Sequence, residues 1–154
     1  VCKNIEGWEL NIYGDGPDYA ALDSKIKQYS LHKTIHMYPA TTNIQSVYLN
    51  SSIFCFPSRY EGFSMALMEA MSYGLPAIAF KCPCGPSEII ENGINGILVE
   101  NKNINDFAYE LQKLMKDEKL REEYGIRAAM ETKYKFNIDH IMKQWVSLFN
   151  DLKS

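Results

Sequence analysis

The sequence has 154 residues, 46% of them apolar and 23% charged with both signs mixed, for a formal net charge of −3. That is enough chain to bury about 70% of its unfolded surface around one core, and the balance argues against intrinsic disorder and gives no electrostatic case for a nucleic-acid partner. Four cysteines (Cys2, Cys55, Cys82, Cys84) are too few and too unevenly spaced for a disulfide framework, and no apolar stretch approaches the roughly 18 residues of a membrane span, so a reducing, cytoplasmic location is expected.

Residues 1–7 have neither the charged n-region nor the apolar h-region of a secretory signal. With no methionine and the look of a helix tail before the first strand, the opening reads as that of an excised piece. Residues 8–13 alternate with period two and stop at Gly14-Asp15-Gly16-Pro17, a strand, tight turn and helix start. A helix over 18–30 carries Ala21, Leu22, Ile26 and Tyr29 on one stripe, and a second strand over 35–38 ends at Pro39. Asn43 is placed to cap a helix bearing Ile44, Val47, Tyr48 and Leu49.

Residues 53–56 form a continuous apolar run, the pattern of a strand buried on both faces. Residues 64–73 are helix-forming and close with Gly74 and then Pro76. Another fully apolar strand follows at 77–80, then a loop over 81–86, a short helix capped by Ser87, a strand at 97–99 and three closing helices. The last of these, 137–152, sets Ile138, Ile141, Met142, Trp145, Leu148, Phe149 and Leu152 at helical spacing. Alternating strands and helices predict an α/β domain with a parallel sheet and helices on both faces.

Between Gly62 and Phe80 the one ionisable carboxylate is Glu69, on a helix apolar nearly all round and therefore expected to be buried. An unpaired ionised carboxylate there costs several kcal/mol, so Glu69 must face a pocket, a cationic partner or a narrow stripe of water. Glu61-Gly62-Phe63-Ser64 lies between a strand and this helix, the crevice where open parallel sheets bind ligands. Gly62 allows close backbone approach, and free amides of Phe63, Ser64 and Met65 offer a cradle for an anion. A carboxylate accepts from two neighbouring hydroxyls at once, so Glu69 and Glu61 can bracket a ligand carrying both a diphosphate and sugar hydroxyls. A nucleotide sugar meets that description.

The stretch from Pro57-Ser58-Arg59-Tyr60-Glu61-Gly62-Phe63-Ser64 through Glu69 to Gly74-Leu75-Pro76, with two glutamates separated by seven residues, resembles the donor-site signature of glycosyltransferase family 4. Gly14-Asp15-Gly16-Pro17, Gly85-Pro86-Ser87-Glu88-Ile89-Ile90 and Asn92-Gly93-Ile94-Asn95-Gly96-Ile97-Leu98-Val99 occur in the family's order. The resemblance covers nearly the whole chain and implies that residues 1–154 are the Rossmann-like, donor-binding C-terminal half of a two-domain GT-B enzyme. Such an enzyme transfers a hexosyl group from a UDP- or GDP-sugar to a glycan or lipid-linked acceptor with retention of configuration and no essential metal. Surface polysaccharide synthesis and peripheral association with the inner face of the membrane follow as family expectations.

By the same resemblance, Glu69 binds the ribose hydroxyls and Glu61, the catalytic carboxylate, lies beside the transferred sugar. Gly62, Phe63, Ser64 and Met65 line the sugar and diphosphate, and the loop from Tyr38 to Thr42 walls the base. The family's N-terminal acceptor domain and its first, central strand, with an arginine and a lysine for the diphosphate, have no counterpart here. Two strands should therefore lack a neighbour, and the chain alone should be catalytically silent. Arg59 and Lys81 match neither family cation and are expected to be solvated. The last helix is implied to cross onto the missing domain.

Other constellations read as structure. Cys82-Pro83-Cys84 lacks the two-residue spacing of zinc or redox motifs, His32, His36 and His140 are scattered, and Glu88 fits a first-turn carboxylate. Two rivals stay open: a glycosidase with paired carboxylates, and a non-catalytic Rossmann-like nucleotide-binding or interaction domain on the same sheet.

Overall fold

The computed structural model describes residues 1 and 5–152. Residues 2–4 of the helix tail expected before the first strand, Cys2 among them, lie outside them, and residues 5–7 form a bend and a turn rather than a helix. The chain divides into two compact units, Val1–Val47 and Tyr48–Ser154.

The first unit is a strand, helix, strand motif: β1 (Leu10–Tyr13), α1 (Tyr19–Gln28) and β2 (Ile35–Tyr38). The two strands pair in parallel, with Leu10 opposite Ile35 and Tyr13 opposite Tyr38. The Gly14 amide donates to the Tyr38 carbonyl at 3.0 Å, and Asp15 Oδ2 accepts from the Ala40 amide at 3.0 Å, so the turn after β1 is tied to the loop after β2. The α1 stripe is only partly realised: Ile26 is buried, while Ala21, Leu22 and Tyr29 are exposed. A two-stranded ladder is too narrow to cover a whole helix face.

Helix α2 (Ile44–Leu49) leads into the second unit, where β3 (Phe54–Phe56), β4 (Ala77–Lys81) and β5 (Gly96–Glu100) form a parallel ladder in the order β3-β4-β5. The parallel strands thus form two separate ladders among the described residues, so that β1 and β3 each pair on one side only, in line with the expectation that two strands lack a neighbour. Central β4 is buried along its whole apolar run, because helices cover both faces. Ala77 and Ala79 meet Leu67, Met71, Ile89, Ile90 and Ala128, and Ile78 and Phe80 meet Ile97, Val99, Leu114 and Tyr124. Strand β3, expected to be equally buried, is half-buried, since it pairs with β4 on one side only.

Helices α3 (Met65–Ser72), α4 (Pro86–Ile89), α5 (Ile104–Lys116), α6 (Glu118–Lys135) and α7 (Ile138–Asp151) complete the unit. Helix α3 stops as its sequence dictates. Gly74 takes a left-handed φ of 78°, its amide bonds to Met71 O at 3.0 Å, and the Leu75 amide bonds to Ala70 O at 3.2 Å, a Schellman closure. The helix then packs tightly on α6, where a β-carbon at Gly125 would collide with the Gly74 carbonyl oxygen. Its burial is one-sided: Leu67, Ala70 and Met71 are enclosed, while Met65, Ala66 and Ser72 are exposed, so the helix expected to be buried all round keeps an open face.

The turn between α4 and β5 is fastened by Asn95, fully buried. Its Oδ1 accepts from the Glu91 amide at 2.8 Å, and its Nδ2 donates to Ile89 O at 3.2 Å and to Glu131 Oε2 on α6 at 2.6 Å. Helices α5, α6 and α7 begin with side-chain caps from Asn103, Asp117 and Asn137. No helix among the described residues is long and apolar enough to cross a membrane.

Candidate functional site

Three parallel strands of the second unit end at one edge, and the loops that leave them are interlocked. The loop after β3 holds residues 57–64, the loop after β4 holds 82–85, and the loop after β5 holds 101–103. Asn101 Nδ2 donates to Arg59 O at 3.1 Å, tying the third loop to the first. Gly85, at φ 89°, lies so close to the first loop that a β-carbon on it would stand 2.5 Å from Ser64 Oγ and 3.3 Å from both Gly62 O and Ser64 N. Only glycine suits that position, because both the backbone conformation and the space exclude a side chain.

Glu61 lies on this rim, four residues before the helix. Its Oε1 accepts from Ser58 Oγ at 2.5 Å, both residues being half-buried, so the loop is braced by its own side chains. Gly62 and Phe63 are exposed, and the Phe63 ring meets Phe136, at the end of α6, edge-on at 5.6 Å between centroids. Ser64, the residue capping α3, is 1% exposed, and its hydroxyl has no partner among the described residues. The Met65 amide, expected to be free, is donated to Phe63 O at 2.9 Å, because the loop tightens into a turn as it enters the helix. The cradle at this helix start therefore rests on Phe63 and Ser64, whose amides have no protein acceptor among the described residues.

Glu69 sits one turn into α3, half-buried, and no lysine or arginine of the described residues forms an ion pair with it. Its neighbour is Tyr48, whose phenol is pushed above its ordinary pKa by burial first and by the Glu69 carboxylate second. Of the expected site residues, Glu61, Gly62, Phe63, Ser64, Met65 and Glu69 thus share one loop-to-helix segment. Tyr38 belongs to the first unit, where it ends β2 and stacks on Tyr13 with 4.9 Å between ring centroids.

Gly85, Ser58, Asn101 and Tyr48 carry much of this geometry and were given no site role by the sequence. Gly85 stood within a recognised block and could have been flagged, since a glycine before proline at a helix start is a common sign of a special backbone conformation. The others have no local signal. Gly85, rather than Ser87, occupies the cap position of α4, with Pro86 following it into the first turn. Lys81, expected to be solvated, pairs with Glu100 across the β4–β5 ladder at 3.5 Å while remaining exposed, and Arg59 is exposed. Cys82 is buried with its thiol donating to Cys84 O, and Cys84 is exposed. His36 faces Glu9 at 3.6 Å.

A family model for "Glycosyl transferases group 1" matches residues 1–130. The chain is 36% identical over 152 residues to an amylovoran biosynthesis glycosyltransferase, AmsD, of Erwinia amylovora, covering 97% of this chain and 42% of that protein. The crystal structure of a Staphylococcus aureus TarM mutant in complex with Fondaparinux, alpha-GlcNAc-glycerol and UDP matches at a TM-score of 0.90 and 31% identity, over 96% of this chain and 30% of that one. The C-terminal domain of a glycosyl transferase group 1 protein, LpcC, of Francisella tularensis matches at a TM-score of 0.77 and 32% identity, over 88% of this chain and 73% of that one. The chain therefore spans less than half the length of the Erwinia and Staphylococcus proteins.

Proposed function

The chain belongs to the glycosyl transferases group 1 family, and on that premise we propose that it is the donor-binding, C-terminal part of a retaining, family 4 glycosyltransferase. The observation that carries the reading is the joining of a braced glutamate loop, an open pair of amides and a half-buried carboxylate at the edge where β3, β4 and β5 end. A nucleoside diphosphate presents the complementary groups in the same order along its length. Hydrogen-bond donors aimed at the phosphates suit the amides of Phe63 and Ser64, and a vicinal diol suits Glu69, which has two oxygens to accept from it.

In this reading Glu61, placed on the loop rather than the helix, lies beside the transferred hexosyl group, and Ser58 holds its carboxylate in place. Gly62 leaves room for the sugar, and Met65 contributes its exposed side chain to the rim. No metal is essential, so charge on the departing diphosphate is neutralised by helix-start amides and by cations outside this chain. UDP is the first nucleotide to consider, since the Staphylococcus structure, at 31% identity, contains it. The acceptor is a glycan or lipid-linked sugar in surface polysaccharide synthesis, a reading supported by a relative named as a lipopolysaccharide galactosyltransferase. The enzyme works in the cytoplasm, at the inner face of the membrane. The uncovered apolar face of α7, with Met142, Trp145 and Phe149 each about half exposed, supports its packing on a domain outside this chain.

A thermal-shift series of the full-length protein against UDP, GDP and ADP tests the reading. A concentration-dependent rise in melting temperature with one of the three is expected. No shift with any nucleoside diphosphate overturns it.

A further inference from the structure

The loop that carries Glu61 is fastened at two points, and each holds a different part of it. Residues Ser58 to Gly62 make no backbone–backbone hydrogen bond among the described residues. Toward α3 the loop is fixed by close packing, since a β-carbon on Gly85 would meet both Gly62 O and Ser64 N at 3.3 Å. Toward β3 it is fixed by a hydrogen bond from Asn101 Nδ2 to Arg59 O at 3.1 Å. Arg59 lies between Ser58 and Glu61, whose side chains bond to each other at 2.5 Å. Asn101 therefore grips the short stretch of backbone that the Ser58 and Glu61 side chains close into a ring.

The anchor of that grip is rigid. Asn101 sits in the turn between β5 and α5, which the Asn103 amide closes by donating to Glu100 O at 2.9 Å, with Lys102 at a left-handed φ of 67°. The Asn103 side chain then caps α5 by accepting from the Asp106 amide at 3.2 Å. The other half of the Asn101 amide, Oδ1, is buried and has no hydrogen-bond partner among the described residues. A desolvated acceptor left unpaired costs stability, and a leucine of similar size would fill the space without that cost. What asparagine adds is the donor aimed at Arg59 O, and turning the amide over would set two oxygens against each other.

We propose that Asn101 is a positioning residue for turnover: by fastening the Arg59 carbonyl to the end of β5 it holds the Ser58–Glu61 pair, and with it the Glu61 carboxylate, in place at the donor edge. The proposal rests on the reading of Glu61 as the carboxylate beside the transferred sugar. The amides of Phe63 and Ser64 are set by the Gly85 contact and Glu69 by α3, so loss of the Asn101 donor frees Glu61 and leaves nucleotide binding intact.

The test uses the full-length protein and its Asn101→Leu, Glu61→Ala and doubly substituted variants. It measures UDP affinity, melting temperature and the release of UDP from whichever of UDP-glucose, UDP-galactose and UDP-N-acetylglucosamine is turned over fastest. Asn101→Leu should lower turnover by about tenfold or more, because a misplaced catalytic group loses its alignment with the reacting atoms. UDP affinity should stay within about threefold and melting temperature within about 2 °C of the parent. In the Glu61→Ala background the same substitution should change turnover by less than about twofold, since its effect passes through the carboxylate. Unchanged turnover in Asn101→Leu, with Glu61→Ala slowed, overturns the role of Asn101 and leaves the reading of Glu61 standing. Equal slowing with and without Glu61, or slowing that comes with weaker UDP binding or a lower melting temperature, makes Asn101 a general support of the fold and also overturns the proposal. Full turnover in Glu61→Ala, or UDP release from none of the three sugars by the parent protein, overturns the reading and the proposal with it.

Discussion

Helix α3, apolar nearly all round, and helix α7, with an apolar stripe, both carry apolar surface to bury, yet one is sunk in the protein and the other lies bare. In α3, Leu67, Ala70 and Met71 are fully enclosed against β4 and α6, and in α7 no residue is buried. The difference lies in their partners. Helix α3 meets alanines of β4 and the glycine of α6 that lets two backbones touch, and α7 has no such surface among the described residues. An apolar period shows that a helix has a face to bury, and says nothing about what buries it.

The sharpest break of this contrast is Leu67→Ala. It should lower the unfolding free energy of the chain by about 2–5 kcal/mol in a denaturant titration, because the surrounding helices cannot close over the cavity. A loss below about 0.5 kcal/mol, the range of surface changes, would show that α3 is not the core helix described here.

Asn95→Ala comes next. It leaves the Glu91 amide and the Ile89 carbonyl without their side-chain partner and frees Glu131 from the α4–β5 turn, with an expected cost of about 1–3 kcal/mol. Urea denaturation measures it, and a neutral result would mean that this turn is held by packing alone. The smallest effect belongs to Trp145→Ala, within about 0.5 kcal/mol in this chain. The same change in the full-length protein should cost distinctly more if α7 is covered there, and equal effects in the two would separate α7 from any partner.

Much of the fold is legible in the sequence because each element is punctuated locally. Gly74 and Pro76 end α3, Gly14 to Pro17 separate β1 from α1, and the apolar run of 77–80 is a strand covered on both faces. What escapes is set by long-range partners. The run at 53–56 looks the same as that at 77–80, and only the ladder order makes β3 half-buried. The site follows the same division. Glu61 to Glu69 are visible as a segment because the residues are contiguous, and their supports are not, since Tyr48, Gly85 and Asn101 reach that segment from elsewhere in the chain. The bond that occupies the Met65 amide is not legible either, because a helix start does not reveal whether the preceding turn has already taken its donors.

The central claim, that the segment from Glu61 to Glu69 is a donor site with divided roles, is tested most directly by calorimetric UDP titration and sugar-transfer kinetics on the full-length protein with Glu69→Ala and Glu61→Ala. Glu69→Ala should weaken UDP binding by about tenfold or more. Glu61→Ala should leave UDP affinity within about threefold and lower turnover by about a hundredfold or more. Equal, small effects of the two substitutions on both binding and turnover would contradict the account.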